Sequence, residues 1–417
     1  MLYAEHKRRE ACPLLRKVCV PALVLAMLLA AAPLGAASSP LDAIVADLDK
    51  KIVAPSAVLM EASSGRIVWE RDADRPRPIA SVVKIMTLIL VMEALERGDI
   101  RLTDVVTASE HVSSMGGSQI WLEVGERMSV ADLVKAVAIE SANDAAVALA
   151  EHVAGSEAAF VALMNKRAAE LGCTNTTFIN ATGLPGPNNT DCLSSARDVA
   201  VMSRQLVRYP QIHQWLTIWI GDVRDGKNIL TNTNRLIRFY SGADGLKTGY
   251  TDRARYCLSA TAKRSGVRII AVVLGVPTSA QRFTDASNLL DAGFAMFEAR
   301  TYAPAGTAVG DVTVARGVAT SVSAAPAMDL SVVGLRGQHG AVEVRLELPR
   351  HVQSPVKKGQ VLGKIQAVMG GEVVAEADLV ATDDVPRAAI LSLLRRHMAM
   401  LIRSLFSLAE PRNVNGG

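Results

Sequence analysis

The sequence predicts an α+β fold, in which a cluster of helices packs with an antiparallel sheet. The first observation is a nearly continuous apolar run from Ser81 to Glu96, which predicts a helix buried on most sides and ended by Gly98. The second is a set of strand-like runs beyond Asp244, at 246–251, 257–262 and 269–276. Because these strands follow one another with short connections, they favour an antiparallel sheet over a doubly wound parallel one.

Further elements are predicted before the strands. Two β-rich runs, 56–61 and 66–70, flank a Ser-Gly turn and predict a hairpin. The segment Ser129-Val130-Ala131-Asp132 resembles a capping box, so a helix is expected from there to Glu140. Another helix is expected to begin at Asn143-Asp144 and to end at Gly155. The predicted helices therefore fall between the N-terminal hairpin and the later strands.

The composition changes near Glu298. Residues 342–348 alternate between apolar and charged side chains with a period of two, which is typical of a strand with one buried face. Gly370-Gly371 stands between two apolar runs and predicts a hairpin turn. We therefore expect a large domain at 38–298, followed by a small all-β domain at 299–385.

The N-terminus has the pattern of an export signal. Basic residues at 7–9 and 16–17 precede an apolar run at 18–34, and Gly35-Ala36-Ala37 supplies the small side chains that a signal peptidase requires. A membrane-spanning helix is the alternative, but the run is short for a span and contains prolines. We predict a signal peptide at 1–37 and an exported protein at the outer face of the cytoplasmic membrane.

The last segment, 386–417, predicts an amphipathic helix. Its apolar residues recur every three or four positions, and its arginines fall on a different arc. A wide apolar face beside a basic arc is typical of a helix in a membrane interface, although a helix packed on its own protein is the alternative. Because the segment is terminal and basic, we predict a membrane anchor. The apolar positions are Ile390, Leu394, Met398, Leu401, Leu405 and Leu408, and the arginines are Arg395, Arg396 and Arg403.

The composition argues against several kinds of partner and cofactor. The chain has 417 residues and a formal net charge of +4, with no long basic run after the N-terminus, so nothing favours nucleic acid. Cys12 and Cys19 leave with the signal peptide. The remaining Cys173, Cys192 and Cys257 allow at most one disulfide, and the sequence does not choose the pair. No metal-ligand spacing occurs, so no metal or other cofactor is predicted.

The first chemical motif is Ser81-Val82-Val83-Lys84. Ser81 and Lys84 are three apart at the start of a helix and share a face. A serine needs a base to become a nucleophile, and a lysine can be that base if burial, the helix N-terminus and a second cation lower its pKa. Lys247 is the candidate for the second cation. Another S-x-x-K, beginning at Ser354, lies in a stretch typical of a surface turn.

The second motif is Ser141-Ala142-Asn143, in a turn between two predicted helices. Small polar side chains at such a turn can simply cap the helices. In the functional interpretation, Ser141 relays a proton between Lys84, Lys247 and a leaving amine, and Asn143 hydrogen-bonds the substrate's amide. Both roles require the two side chains to face Ser81.

The third motif, Lys247-Thr248-Gly249, is predicted to lie on a strand. Its glycine has no side chain, so a substrate backbone can approach closely, and its lysine and threonine can hold an anionic group. A plain edge strand is the alternative for such a motif alone. The oxyanion hole is expected at the N–H of Ser81 and at one N–H just after the motif, that of Tyr250 or Thr251.

Together these motifs are the signature of penicillin-binding proteins and serine β-lactamases. The chain resembles a D-alanyl-D-alanine carboxypeptidase of the low-molecular-mass penicillin-binding protein family, over nearly all of the mature sequence. Beyond the three motifs, matching stretches lie at 79–87, 117–119, 141–148, 175–183, 193–198, 232–235 and 244–251.

The resemblance implies a β-lactamase/transpeptidase-like catalytic domain, a small β domain and a C-terminal anchor. It implies that the penultimate D-alanine of a peptidoglycan stem pentapeptide acylates Ser81, that water hydrolyses the ester, and that β-lactams acylate the same serine. Arg282 matches the family's arginine near the substrate carboxylate. The sequence departs from the family at Tyr250, where some relatives carry histidine, and this leaves substrate preference and deacylation rate open.

Three rival functions share parts of this pattern. A class A β-lactamase also needs a Glu-containing motif ending in Leu-Asn, which residues 170–175 do not reproduce. A D,D-endopeptidase that cuts cross-links uses the same site and stays open, although the β domain and anchor favour the carboxypeptidase. A non-catalytic wall-binding protein is disfavoured because Ser81, Lys84 and Lys247 are all present.

Overall fold

The structure is a computed structural model, and it describes residues 40–338, 340–395, 398–399 and 402. The predicted signal peptide lies outside the described residues, and so does most of the predicted anchor, at 396–397, 400–401 and 403–417. Residues up to Asp47 belong to an N-terminal unit, and the chain from Leu48 onward forms a second compact unit. The elements that build the site all lie in the second unit.

A five-stranded antiparallel sheet organises the first part of the second unit. The strands before residue 297 are β1 (Ser56–Glu61), β2 (Ile67–Arg71), β3 (Arg77–Pro78), β4 (Val105–Thr107), β5 (Arg127–Ser129), β6 (Leu193–Ser194), β7 (Ile220–Val223), β8 (Asn228–Thr231), β9 (Ala243–Thr251), β10 (Arg255–Arg264) and β11 (Val267–Val276). The central sheet has the order β2-β1-β11-β10-β9, so β9 is an edge strand. The predicted hairpin and the three later strands are therefore confirmed.

Helices cover both faces of this sheet. The helices described between residues 40 and 297 are α1 (Pro40–Lys51), α2 (Lys84–Arg97), α3 (Glu110–Ser113), α4 (Val130–Ile139), α5 (Asn143–Ala154), α6 (Glu157–Glu170), α7 (Ala196–Leu206), α8 (His213–Leu216), α9 (Leu236–Phe239) and α10 (Ser279–Met296), and α7 and α10 lie on opposite faces of the sheet. Ser203 of α7 contacts Ser259 of β10, whereas Gly293 of α10 packs against Ile269. Ser259 and Ile269 point to opposite faces, because Ile269 pairs with Ala262. A sheet covered on both faces explains why β11 is apolar almost throughout.

Helix α2 is the buried helix that the sequence predicts. A 3₁₀ turn at Ala80–Val83 precedes it, and Gly98 ends it in the left-handed conformation with φ of 75°. The prediction began the helix at Ser81, and the structure begins the α-helix at Lys84. The chain thus makes one tight turn around Ser81 before the regular helix starts.

The two other predicted helices are confirmed. Ser129 caps α4: its Oγ accepts the N–H of Asp132 at 3.1 Å and lies 2.9 Å from Asp132 Oδ2. Gly155 ends α5 in the left-handed conformation. Only residues 140–142 separate the end of α4 at Ile139 from the start of α5 at Asn143, so the second motif is held in a tight turn between two buried helices.

Beyond residue 297 the described chain is almost entirely β-structure. Its strands are β12 (Phe297–Ala303), β13 (Gly310–Ala315), β14 (Ser321–Pro326), β15 (Leu330–Leu335), β16 (Val342–Glu347), β17 (His351–Gln353), β18 (Val361–Met369) and β19 (Glu372–Ala381). They form a six-stranded sheet, β16-β18-β19-β14-β13-β17, and a two-stranded sheet, β12-β15. A separate apolar core lies between them, built from residues such as Val312, Leu330 and Leu379. The predicted all-β region and the turn at Gly370-Gly371 are confirmed.

Three features of the described residues bear on location and chemistry. No single helix among them has the length and apolar composition to cross a membrane, and only the bent pair α5 and α6 passes on those two criteria together. Cys173, Cys192 and Cys257 are buried free thiols. Burial raises the pKa of Cys257 to about 11, so this thiol stays protonated at neutral pH.

Candidate active site

Ser81 lies in the 3₁₀ turn, and Lys84 lies one turn further at the start of α2. Lys84 Nζ is 3.0 Å from Ser81 Oγ, as the spacing of three residues predicts. Ser81 is partly exposed, whereas Lys84 is fully buried. The pair therefore has a serine that solvent can reach and, behind it, an amine that water does not reach.

Lys84 has two further partners. Its Nζ donates to Asn143 Oδ1 at 2.6 Å and to the carbonyl oxygen of Thr182 at 2.7 Å. A neutral amine carries two N–H groups and one lone pair, and these two acceptors use both N–H groups. The lone pair of an unprotonated Lys84 is then directed at Ser81 Oγ.

Two buried lysines dominate the electrostatics of the site. Burial, and then the nearby charge of Lys247, holds the pKa of Lys84 well below its usual range. Burial, and then the charge of Arg282, lowers the pKa of Lys247 to about 7. Lys84 therefore gives up its proton far more readily than an ordinary lysine, and Lys247 is close to half protonated at neutral pH. The sequence-based expectation of a lysine base with a lowered pKa agrees with this environment.

Ser141 and Asn143 are both buried, and Asn143 contacts Lys84. Ser141 has a positive φ of 67°, and its buried Oγ has no hydrogen-bond partner among the described residues. The Asn143 side chain connects Lys84 to the carbonyl oxygen of Gly116, to which Nδ2 donates at 2.6 Å. The Asn143 side chain thus already accepts from Lys84 and donates to Gly116, and one N–H is left for a substrate.

Lys247, Thr248 and Gly249 lie on β9, the edge strand of the central sheet. A Cβ added at Gly249 would lie 2.6 Å from the carbonyl oxygen of Ile79 and 3.2 Å from the Ser81 nitrogen. The absence of a side chain at Gly249 therefore lets the strand approach the turn that carries the nucleophile. From the sequence, the glycine at this position is explained by the approach of the substrate backbone. The structure gives a second reason, which is the close packing of β9 on the turn that carries Ser81.

Tyr250 and Arg282 flank the third motif. Tyr250 is half-exposed and stacks on Tyr256, its partner across β9 and β10, with ring centroids 4.4 Å apart. Arg282, on α10, is buried, and its Nη1 donates to the carbonyl oxygen of Gly249 at 3.3 Å. Burial lowers the pKa of Arg282 to about 10, and its buried Nε has no hydrogen-bond partner among the described residues. Arg282 is thus part of the site's wall and not a surface charge.

The sequence singled out residues 175–183 as a matching stretch but gave them no role. The Asn180 side chain holds this loop: Oδ1 accepts from the N–H of Thr182 at 3.1 Å and of Gly183 at 2.7 Å, and Nδ2 donates to the carbonyl of Leu184 at 2.8 Å. This arrangement aims the Thr182 carbonyl at Lys84. A Cβ at Gly183 would lie 2.0 Å from the carbonyl oxygen of Ala80, so the loop packs directly on the nucleophile turn.

The fold and the site are those of a serine hydrolase, with a buried lysine beside the serine. Among the described residues, no cluster of three His, Cys, Asp or Glu side chains is suited to a metal ion. The residues that could do chemistry are the serine, the two lysines and the polar groups around them. Such a site supports acyl transfer through an ester.

Comparison with known proteins agrees with this class. Residues 43–278 match the D-alanyl-D-alanine carboxypeptidase family, peptidase S11, and residues 297–387 match the C-terminal domain of penicillin-binding protein 5. D-alanyl-D-alanine carboxypeptidase DacF of Bacillus subtilis is 40% identical over 83% of this chain and 89% of its own. DacA of Haemophilus influenzae is 35% identical over 86% of this chain and 91% of its own.

Solved structures show the same relationship. Penicillin-binding protein 5 of Haemophilus influenzae has a TM-score of 0.59 and 36% identity, over 81% of this chain and 98% of its own. Penicillin-binding protein D2 of Listeria monocytogenes, solved in its ampicillin-bound form, has a TM-score of 0.54 and 32% identity, over 58% of this chain and 98% of its own.

The chain belongs to the D-alanyl-D-alanine carboxypeptidase family, the low-molecular-mass penicillin-binding proteins. Its activity is that of a serine-type D-alanyl-D-alanine carboxypeptidase, a hydrolase. The predicted fold class is also confirmed, with a penicillin-binding catalytic domain followed by an all-β domain.

Proposed function

We propose that Ser81 is the nucleophile with which this carboxypeptidase removes the terminal D-alanine from peptidoglycan stem pentapeptides. The observation that carries the proposal is the pairing of Ser81 with Lys84, whose two N–H groups are used by other acceptors. This arrangement makes Lys84 the general base.

Acylation begins when Lys84 accepts the hydroxyl proton of Ser81 and Oγ attacks the carbonyl carbon of the penultimate D-alanine. The N–H groups of Ser81 and of Tyr250 or Thr251 stabilise the oxyanion. The C–N bond then breaks, and the leaving amine takes the proton from Lys84 through the Ser141 hydroxyl. Free D-alanine departs and leaves an ester on Ser81.

Hydrolysis of the ester repeats these steps with water. Lys84, neutral again, accepts a proton from the water molecule as its oxygen attacks the ester carbon. The C–O bond to Ser81 breaks, and Oγ recovers the proton from Lys84. The shortened stem peptide leaves with a new carboxylate, and the enzyme returns to its starting state.

The substrate's terminal carboxylate is bound at the other end of the motif strand. Protonated Lys247, with Thr248 and Arg282, forms a cationic and polar surface for this group. Tyr250 extends this surface and contacts the substrate residues on the N-terminal side of the scissile bond. Asn143 has one free N–H for the substrate's amide.

β-Lactams are expected to acylate Ser81 through the same steps. The Listeria monocytogenes relative was solved with ampicillin bound, which supports this proposal for a chain 32% identical to it. A β-lactam also presents a carboxylate beside a strained amide, so it fits the surface proposed for the substrate. Acylation would inhibit the enzyme for as long as the ester persists.

The enzyme is proposed to act at the outer face of the cytoplasmic membrane, where it matures the cell wall. In this proposal, the chain consists of a signal peptide at 1–37, a peptidase domain at 38–298, a β domain at 299–385 and an anchor at 386–417. The signal peptide and the anchor account for the location. Support comes from the described part of the last segment, where 390–395 are helical and five large apolar side chains are exposed. They are Ile390, Leu391, Leu394, Met398 and Ile402, each between 48% and 78% exposed.

The test uses purified mature protein with a fluorescent penicillin and, separately, with a D-Ala-D-Ala pentapeptide. Label on Ser81 together with released D-alanine is the expected result. Label without release from the pentapeptide would instead favour a D,D-endopeptidase, which a cross-linked dimeric peptide would then reveal. Rapid turnover of penicillin would indicate a β-lactamase.

A further inference from the structure

A surface patch lies beside the strand that carries the third motif. We call it the arginine–aromatic patch, and it consists of Trp219, Arg235, Arg238 and Phe239. Trp219 directly precedes β7, and the other three belong to the segment around α9. Phe239 is 66% exposed, so a large aromatic ring faces solvent here. A single exposed apolar residue is ordinary, so the case for a binding surface depends on the contacts made around this ring.

The side chains of the patch are ordered by contacts with one another. The rings of Trp219 and Phe239 meet edge to face, with centroids 6.0 Å apart. The Arg238 guanidinium lies 5.6 Å from the Phe239 centroid and 5.8 Å from that of Trp219. The Arg235 guanidinium lies 5.8 Å from the Phe239 centroid. Two cations are thus held over aromatic rings in a fixed arrangement.

Neither arginine has a carboxylate partner among the residues that the structure describes. Other surface arginines of the chain do: Arg197 pairs with Asp74 at 2.6 Å, and Arg345 pairs with Glu343 at 2.8 Å. Because the aromatic rings leave the guanidinium N–H groups free, Arg235 and Arg238 present two uncompensated positive charges. Such a surface complements an anionic partner with apolar faces.

The two residues that directly precede Arg235 in the chain, Thr233 and Asn234, are hydrogen-bonded to the strand that carries the third motif. Thr248 Oγ1 donates to Thr233 Oγ1 at 2.8 Å, and Asn234 Nδ2 donates to the carbonyl oxygen of Gly245 at 2.9 Å. Arg235 follows these two residues directly. The patch therefore adjoins the end of the motif strand where Lys247 and Thr248 would hold the substrate's carboxylate.

We propose that the arginine–aromatic patch binds a peptidoglycan strand next to the stem peptide that occupies the cleft. This inference rests on the proposed function. Peptidoglycan offers both kinds of group that the patch complements, since the C–H faces of its sugars pack on aromatic rings and its stem peptides carry carboxylates for arginine. Because the residues next to Arg235 are hydrogen-bonded to the strand proposed to bind the stem peptide, we favour the polymer over a membrane surface as the occupant.

Binding is tested in the Ser81→Ala background, so that turnover does not interfere. The full mature protein is mixed with purified sacculi and sedimented. The double variant Arg235→Gln, Arg238→Gln and the single variant Phe239→Ser should each reduce the bound fraction about tenfold, as expected for loss of charge-assisted contacts. Arg300→Gln is the matched control, because the Arg300 guanidinium also lies over an aromatic ring, that of the partly buried Tyr302 at 5.6 Å, but in β12. It should bind like the parent.

The same substitutions in the active enzyme should leave D-alanine release from a soluble pentapeptide unchanged. Unchanged binding to sacculi would overturn the proposal, and so would an equal loss of activity on the soluble peptide, which would show a structural role. If the patch variants lost binding to anionic lipid vesicles but kept binding to sacculi, the partner of the patch would be a membrane surface. That result would also overturn the proposal. If the unmodified enzyme released no D-alanine while the patch variants still lost sacculus binding, the proposed function would fail and the patch would stand.

Discussion

Ser81 and Lys84 face each other across 3.0 Å, and the reactivity of the serine depends on the surroundings of the lysine. Burial removes the water that would stabilise an ammonium, and Lys247 adds a repulsive charge. The two acceptors on Lys84, Asn143 Oδ1 and the Thr182 carbonyl, then determine the direction of the lone pair. At this scale, the proposed role of Lys84 depends on three distances of 2.6 to 3.0 Å around its side-chain nitrogen.

Substitution of the nucleophile is the most direct test at the residue scale. Ser81→Ala should abolish covalent labelling by fluorescent penicillin and should reduce D-alanine release by at least about 10³-fold, because no other group forms the ester. Ser354→Ala, in the second S-x-x-K, is the matched control and should label like the parent. Persistent labelling of the Ser81 variant would show that the nucleophile is misassigned.

The pH dependence follows from Lys247. Its pKa of about 7 in the free enzyme means that the ammonium needed for the substrate's carboxylate is lost as the pH rises through 7. The value of kcat/KM should therefore fall about tenfold per pH unit on the alkaline side. The bound carboxylate stabilises the ammonium, so the corresponding limb of kcat should lie at higher pH.

Lys247→Gln is the check on this assignment. The variant should lose the alkaline limb of the kcat/KM profile and should have a raised KM throughout, measured by D-alanine release. A limb that persists unchanged in the variant would assign the titration to another group.

At the scale of elements, the site is an assembly of turns held between regular structures. The 3₁₀ turn brings Ser81 to the cleft, the α4–α5 turn brings Ser141 and Asn143, and β9 approaches because Gly249 has no side chain. The 180–184 loop completes the assembly from the far side of Lys84. Each turn packs on another, so a change in one is expected to move the others.

Asn180 is the clearest test at this scale. Asn180→Ala removes the acceptor that holds the N–H groups of Thr182 and Gly183, so the Thr182 carbonyl should no longer be held against Lys84. We expect kcat for D-alanine release to fall about 100-fold, since misplacement of a catalytic group by about 1 Å has effects of that size. KM should change little, because Asn180 does not line the proposed carboxylate surface.

Asn165 provides the control for stability. Its side chain also organises a loop: Oδ1 accepts from the N–H of Phe178, and Nδ2 donates to the carbonyl oxygens of Phe178 and Val161. Asn165 does not hold the Thr182 carbonyl that accepts from Lys84. Asn165→Ala should lower Tm comparably while retaining more of kcat. Equal losses of kcat in both variants would assign Asn180 a purely structural role.

At the scale of the whole molecule, the helix that bears Arg282 connects the two parts of the second unit. Arg282 lies near the N-terminal end of α10, beside β9. At the other end, Arg336 of the all-β region donates to the carbonyl oxygens of Phe294 and Ala295, each at 3.1 Å. A cation at a helix C-terminus is favourable, so this contact stabilises the junction. The β region thus contacts the same helix that forms one wall of the site.

The proposed anchor is tested at this scale. Deletion of residues 386–417 should move the enzyme from the membrane to the soluble fraction, because the exposed apolar side chains of that segment are removed. Penicillin labelling and D-alanine release should be retained, as the catalytic residues lie elsewhere. Fractionation of cells that produce either form measures the outcome, and membrane association of the shortened form would disprove the anchor.

The sequence by itself determined the class of fold, the order of the elements around the site and the residues of the three motifs. These features follow from local rules: apolar periodicity, helix caps at Ser129, Gly98 and Gly155, and the spacing of Ser81 and Lys84 on one helical face. Such rules act over a few residues, so they can be applied without knowing the tertiary contacts.

Only the tertiary structure decided how these parts meet. The second acceptor on Lys84, the Thr182 carbonyl, lies 98 residues away in the chain, and the contact of Arg282 with Gly249 joins residues 33 apart. It also decided that Asn143 is engaged by the lysine, and that Arg235 and Arg238 stack on aromatic rings beside the cleft. No local pattern encodes these contacts, because they depend on which helices and strands the core brings together.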